Sequence, residues 1–126
     1  MIKGIGTDLV QISRIRRAMD TMSPGAFAHM FTEAELAVSK GKARPEDYLA
    51  TRFACKEAVF KALAPLTVKK GFDLRIVETL NHSDGSPYIH ITDPLRSVME
   101  EAGVSTILVS ISTEADLAQA FVVCTD

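Results

Sequence analysis

The stretch RFACKEAVFKAL, residues 52–63, carries four charges on a segment otherwise suited to a buried helix. Wound at about 100° per residue, it forms with the preceding turn an apolar stripe of Leu49, Phe53, Phe60 and Leu63. Lys56 falls inside this stripe. Glu57 and Lys61 flank it on one side, and Arg52 flanks it on the other. Charges on a mostly buried helix need partners, so this helix is a candidate for chemistry.

Glu57 and Lys61 are spaced i,i+4, which fits an exposed ion pair worth about 0.3–0.5 kcal/mol. The alternative is a site for a hard cation and phosphate oxygens. Mg²⁺ takes one or two protein carboxylates, with water and phosphate oxygens completing its octahedron. Asp8 and Glu57 could be those carboxylates, with Arg52, Lys56 and Lys61 neutralising the phosphates. Lys56 could instead run its methylenes along the apolar stripe and place its amine at the end.

Asp8 lies near the end of a predicted strand over residues 2–10. One face of that strand carries Ile2, Gly4, Gly6, Asp8 and Val10. Glycines in a strand leave space for a ligand or another backbone to approach closely. The alternative is that Asp8 caps the helix that follows, since Asp is a common helix-start residue.

That first helix, within residues 11–22, has Ile12, Ile15, Met19 and Met22 at helical spacing. Arg14, Arg16 and Arg17 form a basic cluster, with Arg14 and Arg17 opposite the apolar positions. The cluster is either a solvated face or a docking surface for an acidic partner.

The rest of the chain predicts alternating helices and strands. Thr32 and Glu35 form a capping-box pattern at the start of a short helix, and the long helix begins near Pro45 and ends before Pro65. A helix with Asp93 as its cap ends before Gly103. Strands are predicted over residues 72–80, 88–92, 105–112 and 117–124. The order βαααββαββ indicates an α+β fold, with a long helix on a mainly antiparallel sheet and one domain over residues 1–126.

Composition excludes several classes of protein. The net charge of −2 gives no global attraction to nucleic acid or membrane, and no segment has the ~18 apolar residues of a membrane span. Cys55 and Cys124 sit in apolar contexts without C-x-x-C spacing, as expected of reduced thiols in a cytoplasmic protein. Zinc motifs, a G-x-S-x-G serine and a G-x-G-x-x-G loop are all missing.

Two segments resemble a known family. IGTDLVQISRI, residues 5–15, resembles the first signature of the holo-acyl-carrier-protein synthases, the small phosphopantetheinyl transferases. RFACKEAVFKAL resembles their second signature. FTEAEL, DGSPYIHI and the terminal strands extend the similarity over nearly the whole chain.

The resemblance implies transfer of 4′-phosphopantetheine from coenzyme A to a serine of apo acyl carrier protein, with release of adenosine 3′,5′-bisphosphate. It implies Mg²⁺ held by Asp8 and Glu57, with Lys61 also catalytic. It makes Arg52, Lys56 and Lys61 the coenzyme-binding cations. It also implies an α+β phosphopantetheinyl transferase fold in a homotrimer, with each coenzyme site between two subunits.

The resemblance further implies that the carrier protein docks on the first helix, at Arg14 and Arg17. Two positions depart from the family pattern. A Gly-Thr-Gly run after the long helix is replaced by APLTVKKG, where Lys69 and Lys70 either compensate or form a solvated pair. Thr113 stands where many members have His.

The base that takes the serine proton stays open among Glu33, Glu35 and a metal-bound water. Two further hypotheses compete with an active transferase. One is a diverged relative that binds carrier protein without efficient turnover, and the other is a structural trimer subunit.

Overall fold

The computed structural model describes residues 1–68 and 72–126, so Lys69 and Lys70 lie outside the described residues. The strands are β1 (Ile2–Gln11), β2 (Val77–Asn81), β3 (Pro87–Ile91), β4 (Thr106–Glu114) and β5 (Leu117–Thr125). The helices are α1 (Ile12–Thr21), α2 (Pro24–Ala28), α3 (Glu33–Lys40), α4 (Pro45–Leu63) and α5 (Asp93–Ala102), and Ala64–Leu66 and Leu74–Ile76 form 3₁₀ turns. The fold is α+β, as predicted.

Every described strand pairing is antiparallel, but the strands form two sheets instead of one. The larger sheet has the order β1-β5-β4, and the smaller is the β2–β3 hairpin. β5 is central because it pairs with β1 on one side and β4 on the other. Helix α4 packs across β1 and β5, as the long central helix of the prediction requires.

Two glycines in β1 let α4 approach the sheet at backbone distance. A Cβ at Gly6 would overlap the carbonyl oxygen of Ala58, and a Cβ at Gly4 would overlap that of Ala62. Two residues of strand advance about 6.6 Å, and four residues of helix advance about 6 Å. The glycine spacing on β1 therefore matches the alanine spacing on α4. Of the two possibilities open for these glycines, the approaching group is a backbone.

This close packing changes which face of α4 is buried. Ala54, Ala58 and Ala62 are fully covered, because small side chains fit where the backbones nearly touch. Phe53 and Phe60 are only half-buried. The predicted apolar stripe is therefore confirmed only in part, because Leu49 and Leu63 are buried whereas the two phenylalanines are not fully covered. The least covered face of the helix consists of Phe53, Glu57, Phe60 and Lys61.

The predicted helix boundaries are partly confirmed. Thr32 accepts from the Glu35 N–H while the Glu35 carboxylate accepts from the Thr32 N–H, which is a complete capping box. Gly103 ends α5 with φ of 71°, a left-handed conformation that suits glycine. The cap of α5 is Thr92 rather than Asp93, because the Thr92 hydroxyl accepts from the Leu95 N–H at 3.2 Å.

The segment around α1 corrects two further expectations. Asp8 does not cap α1. Instead, the Asp116 carboxylate in the β4–β5 turn accepts from the N–H of Ser13 at 3.0 Å and from its hydroxyl at 2.7 Å. The apolar stripe of α1 is also shorter than predicted, because Ile12 and Ile15 are buried while Met19 is exposed.

Two elements differ from the sequence pattern. Residues 74–76, predicted as strand, form a 3₁₀ turn, because Asp73 caps that turn by accepting from the Arg75 N–H at 2.8 Å. The short helix α2 follows Ser23, whose hydroxyl accepts from the Ala26 N–H at 3.3 Å, where only a break was predicted. No helix among residues 1–68 and 72–126 is long and apolar enough to cross a membrane.

Candidate functional site

Asp8, Glu57 and Lys61 form a cluster, called here the carboxylate cluster, where the end of β1 meets the least covered face of α4. Lys61 Nζ donates to Asp8 Oδ1 and to the Thr7 carbonyl oxygen, both at 3.0 Å. The Asp8 side chain is 15% exposed and that of Lys61 is 53% exposed, so the cluster opens to solvent on the lysine side. The glycine–alanine packing of β1 on α4 brings these residues together.

The carboxylate cluster has an excess of negative charge. Partial burial, and then the nearby Asp8 carboxylate, raise the pKa of Glu57, and Lys61 only partly opposes this. Two carboxylates held close at a partly exposed site fit a hard divalent cation that takes its other ligands from water and phosphate. Among residues 1–68 and 72–126, no group of three or more acidic, His or Cys side chains is placed to hold a metal ion.

Glu57→Gln should therefore stabilise the metal-free protein at neutral pH. A carboxyl whose folded pKa lies above its ordinary value of 4.5 destabilises the fold when ionised, and this penalty disappears as the pH falls below that value. We expect the melting temperature in chelator at pH 7 to be higher for the variant than for wild type, with the difference vanishing near pH 4. Thermal melts at both pH values check this.

Mg²⁺ should raise the melting temperature of wild type but not of Glu57→Gln, because an ion that binds only the folded state stabilises the folded state. Glu100→Gln, on the exposed face of α5, is the control and should change neither quantity. A lower melting temperature for Glu57→Gln in chelator would show that Glu57 acts as a stabilising ion-pair partner.

Lys56 does not face a solvent-accessible site, contrary to its predicted role as a phosphate ligand. Its side chain is fully buried and pairs with Glu35, which is also fully buried, at 2.7 Å. Nζ donates in addition to the carbonyl oxygens of Leu74 and Val77. Burial lowers the pKa of Lys56, while Glu35 opposes the shift. The alternative in which Lys56 runs its methylenes along the apolar stripe and places its amine at the end is also wrong, because the amine is buried against Glu35.

Arg52 lies at the wall of a cavity of about 970 Å³ between the first half of α4, the β2–β3 hairpin and β4. Its guanidinium donates to the Thr79 carbonyl oxygen at 3.2 Å and to the Asn81 side-chain oxygen. It stacks on the Tyr48 ring, with 4.0 Å between its central carbon and the ring centroid. Only 4% of the residue is exposed. We call this space the α4–hairpin cavity.

The α4–hairpin cavity also contains cations that the sequence prediction missed. Lys42 and Arg44, just before α4, line it, and the Lys42 ammonium lies 5.6 Å from the Tyr48 ring centroid. Two cations, Lys42 and Arg52, therefore lie close to the Tyr48 ring. Its hydroxyl pKa is raised, chiefly by burial, so the ring is neutral at ordinary pH. Two features of the sequence could have indicated this cationic cavity. They are the run GKAR, which contains Lys42 and Arg44, and the i,i+4 spacing of Tyr48 and Arg52.

The charges of α4 thus separate into two sites. Arg52 and Lys61 are nine residues apart, which places them about 180° apart around the helix and about 13 Å apart along it. Arg52 faces the α4–hairpin cavity, whereas Lys61 belongs to the carboxylate cluster. The structure does not bring the three predicted phosphate-binding cations to one site within a chain.

The two departures from the family pattern both involve described residues, apart from residues 69–71 of the first. After α4, the chain forms a 3₁₀ turn over Ala64–Leu66, and the Val68 N–H then donates to the Glu101 carboxylate at 2.7 Å. In the segment that replaces the Gly-Thr-Gly run, this backbone amide is thus hydrogen-bonded to Glu101 and is not free to bind a phosphate. Thr113 lines the α4–hairpin cavity, so the substitution of Thr for His alters that cavity and not the carboxylate cluster.

The remaining predicted residues are distributed as follows. Arg14 and Arg17 are exposed on α1, while Arg16 pairs with Glu46 at 3.7 Å. Glu33 is exposed at the start of α3. Glu35 cannot reach a substrate hydroxyl, because it is fully buried with both oxygens bonded. Burial raises the pKa of the Cys55 and Cys124 thiols to about 11, which keeps both protonated.

Comparison with known proteins extends these observations. Residues 4–122 match the family model of the 4′-phosphopantetheinyl transferase superfamily. The holo-[acyl-carrier-protein] synthase of Thermodesulfovibrio yellowstonii is 39% identical over 125 residues, covering 99% of this chain and 100% of that protein. The synthase of Shewanella amazonensis is 37% identical over 119 residues and covers 94% of each.

Solved structures agree with this result. The crystal structure of the Neisseria meningitidis holo-[acyl-carrier-protein] synthase superposes with a TM-score of 0.87 at 34% identity, covering all of both chains. A Bacillus anthracis synthase in complex with coenzyme A (3′,5′-ADP) has a TM-score of 0.77 at 29% identity, covering 98% of this chain and 96% of that one. The resemblance of the two signatures is confirmed, and the chain belongs to the 4′-phosphopantetheinyl transferase superfamily.

Proposed function

We propose that residues 1–126 act as one holo-[acyl-carrier-protein] synthase domain in the cytoplasm, transferring 4′-phosphopantetheine from coenzyme A to a serine of apo acyl carrier protein. The observation that carries this proposal is the carboxylate cluster, which joins one residue of the first signature to two of the second. Full-length relatives named as such synthases support it, as does the related structure in complex with coenzyme A.

Asp8 and Glu57 would hold Mg²⁺, whose charge would offset that of the coenzyme diphosphate. Lys61 holds Asp8 in place through its 3.0 Å hydrogen bond and presents the half-exposed end of its ammonium to an incoming phosphate. In the reaction, the serine oxygen bonds to the phosphorus that carries pantetheine. The bond from that phosphorus to the bridging oxygen breaks, adenosine 3′,5′-bisphosphate leaves and the serine proton is released.

The α4–hairpin cavity would bind another phosphorylated part of the coenzyme. Arg52, Lys42 and Arg44 converge there, and guanidinium groups bind phosphate oxygens through paired hydrogen bonds. Arg52 is well prepared for this role, because Tyr48, Thr79 and Asn81 hold its guanidinium in one orientation. Coenzyme A carries both a diphosphate and a separate 3′-phosphate, so a carboxylate cluster that would bind Mg²⁺ and a separate cationic cavity together match its chemistry.

Because the carboxylate cluster and the α4–hairpin cavity lie on opposite sides of α4, one coenzyme molecule would use them from two different subunits. The outer face of the three-stranded sheet offers a surface for such an assembly. Ile5, Leu9, Leu108 and Phe121 are between 45% and 60% exposed on this face. Ile5, Val123 and Leu108 form an apolar row across its strands. Large exposed apolar patches mark interaction sites. The number of subunits, three, is what the family resemblance implies.

Phe121→Glu should convert this trimer to monomers. Phe121 pairs with Thr7 and Ser110 at the centre of the outer face, where a buried charge without a partner is costly. Sedimentation equilibrium should show a trimer for wild type and a monomer for the variant, with coenzyme A affinity lost together with assembly. Arg96→Glu, a charge reversal on α5, should remain trimeric. A monomeric wild type at micromolar concentration would contradict the assembly.

Carrier protein should dock on α1 through Arg14 and Arg17. Both are exposed, and the core does not need them. Exposed charges act mainly on association rate and salt dependence. Arg14→Glu combined with Arg17→Glu should raise KM for carrier protein about tenfold or more, leave KM for coenzyme A nearly unchanged, and flatten the salt dependence. Steady-state kinetics at several salt concentrations check this. Unchanged carrier-protein kinetics would place docking elsewhere.

The deciding experiment for the function is mass spectrometry of apo acyl carrier protein after incubation with coenzyme A, Mg²⁺ and this protein. We expect the carrier to gain one phosphopantetheine. The second candidate is a diverged carrier-binding protein with weak turnover, favoured by the Val68 amide bonded to Glu101 and by Thr113 in the cavity. Binding of carrier protein without any mass gain would select that candidate.

A further inference from the structure

The buried ion pair of Glu35 and Lys56 has no part in either site described above. Both side chains are fully buried, with 2.7 Å between Lys56 Nζ and Glu35 Oε1. Burying two charges is expensive, and replacing such a pair with apolar groups is often neutral or stabilising. Stability of the fold is therefore a weak reason for this pair, and its position suggests a more specific role.

Each charged group of the pair has its full set of partners. Lys56 Nζ donates to Glu35 and to the carbonyl oxygens of Leu74 and Val77. Glu35 Oε1 also accepts from the Thr32 N–H, and Oε2 accepts from the Thr79 N–H, both at 3.0 Å. The pair therefore fastens the start of α3 and the middle of α4 to strand β2.

Strand β2 needs such an attachment. The β2–β3 hairpin is a two-stranded sheet separate from the larger one, and isolated two-stranded ribbons are marginally stable. The edge of β2 that faces α3 and α4 leaves backbone groups of Val77 and Thr79 without a neighbouring strand. Side chains of Lys56, Glu35 and Arg52 bond these groups instead. Charged side chains thus take the place of a third strand.

Thr79 connects the pair to the α4–hairpin cavity. Its N–H donates to Glu35 Oε2, and its carbonyl oxygen accepts from Arg52 Nε at 3.2 Å. Two residues further along β2, the Asn81 side chain accepts from the same guanidinium. Glu35 and Lys56 therefore fix the position of β2 relative to α4. That position in turn determines where the Thr79 carbonyl oxygen and the Asn81 side chain, the partners of Arg52, lie.

We propose that Glu35 and Lys56 are positioning residues that hold β2 in register with α4, and so orient Arg52 for coenzyme A in the α4–hairpin cavity. This inference rests on the proposed function of that cavity. Neither residue touches the coenzyme, because both are fully buried. Their effect reaches it through the backbone of Thr79.

The test compares coenzyme A binding with stability. Glu35→Gln removes the charge and one of the acceptors while keeping the size of the side chain. Lys56→Met removes the ammonium from the pair, and the double variant replaces both charges with neutral groups of similar size. We expect each to raise KM for coenzyme A about tenfold, in the range of couplings between contacting residues. We expect kcat and KM for carrier protein to change less than twofold. Calorimetric titration with coenzyme A, at a temperature where all proteins are folded, should show the same loss of affinity.

Val104→Ala serves as a control for stability, because Val104 is buried between α5 and β4, away from the cavity and the pair. It should lower the melting temperature with no change in coenzyme A affinity. If Glu35→Gln and Lys56→Met lower the melting temperature as Val104→Ala does and leave coenzyme A affinity alone, the pair is only structural and the inference is overturned.

A double-mutant cycle with Arg52→Ala separates this inference from the function on which it rests. If the pair acts through Arg52, Glu35→Gln should weaken coenzyme A binding in wild type but add almost nothing when Arg52 is already absent. Fully additive losses would overturn the inference. If Arg52→Ala alone leaves coenzyme A affinity unchanged, the proposed function of the cavity fails instead.

Discussion

Asp8→Asn and Glu57→Gln should each lower turnover of coenzyme A by roughly 10²-fold or more. Both substitutions keep the size of the side chain and remove the negative charge that would hold Mg²⁺ beside the diphosphate. Loss of a group that stabilises charge in a transition state costs about two to three orders of magnitude in kcat. The partly buried position of Asp8, bonded to Lys61 at 3.0 Å, makes its geometry sensitive to the change.

The measurement is single-turnover transfer to apo carrier protein at saturating coenzyme A, over a range of Mg²⁺ concentrations. The variants should need more Mg²⁺ and should stay slow even when it is saturating. Glu100→Gln on the exposed face of α5 is the matched control and should behave as wild type. Near-normal activity of Glu57→Gln at saturating Mg²⁺ would remove Glu57 from the metal site.

Gly6→Ala should have the largest effect on the fold, lowering the free energy of unfolding by about 3 kcal/mol or more. The added Cβ would overlap the Ala58 carbonyl oxygen, which belongs to the backbone of a buried helix and cannot rotate away. Overpacking of a rigid core costs about 1–3 kcal/mol and sometimes more. That is a large share of the ~5–15 kcal/mol that stabilises a typical domain.

Urea denaturation of Gly6→Ala checks this, with the free energy compared at an unchanged denaturant slope. Gly25→Ala is the control, because a Cβ there meets nothing within 4 Å and the residue lies in helix α2. It should leave stability unchanged or slightly increased. Gly6→Ala should also lose transferase activity in the fraction that stays folded, since moving β1 off α4 separates Asp8 from Glu57. A stability equal to wild type would show that β1 and α4 do not pack so closely.

Local sequence patterns predicted the ends of helices correctly wherever interactions between neighbouring residues decide the conformation. The capping box of Thr32 and Glu35, the start of α4 at Pro45 and the end of α5 at Gly103 all depend on neighbouring residues, and all are confirmed. The same reasoning failed at residues 74–76, where a β-prone run forms a 3₁₀ turn capped by Asp73. It also failed at α5, where Thr92 rather than Asp93 is the cap.

By itself, the sequence determined the family, the fold class and the residues that compose the carboxylate cluster, because signature residues at set separations carry that information along the chain. Only the tertiary structure decided which charges of α4 meet. Lys56 and Lys61 are five residues apart on one helix, yet Lys56 is buried against Glu35 and Lys61 reaches Asp8 at the surface. The cause is the close approach of β1 at Gly4 and Gly6, which rotates the alanine face of α4 inward and leaves Glu57 and Lys61 on the least covered side. Helical periodicity shows which residues share a face, but the partners packed around the helix decide which face becomes the core.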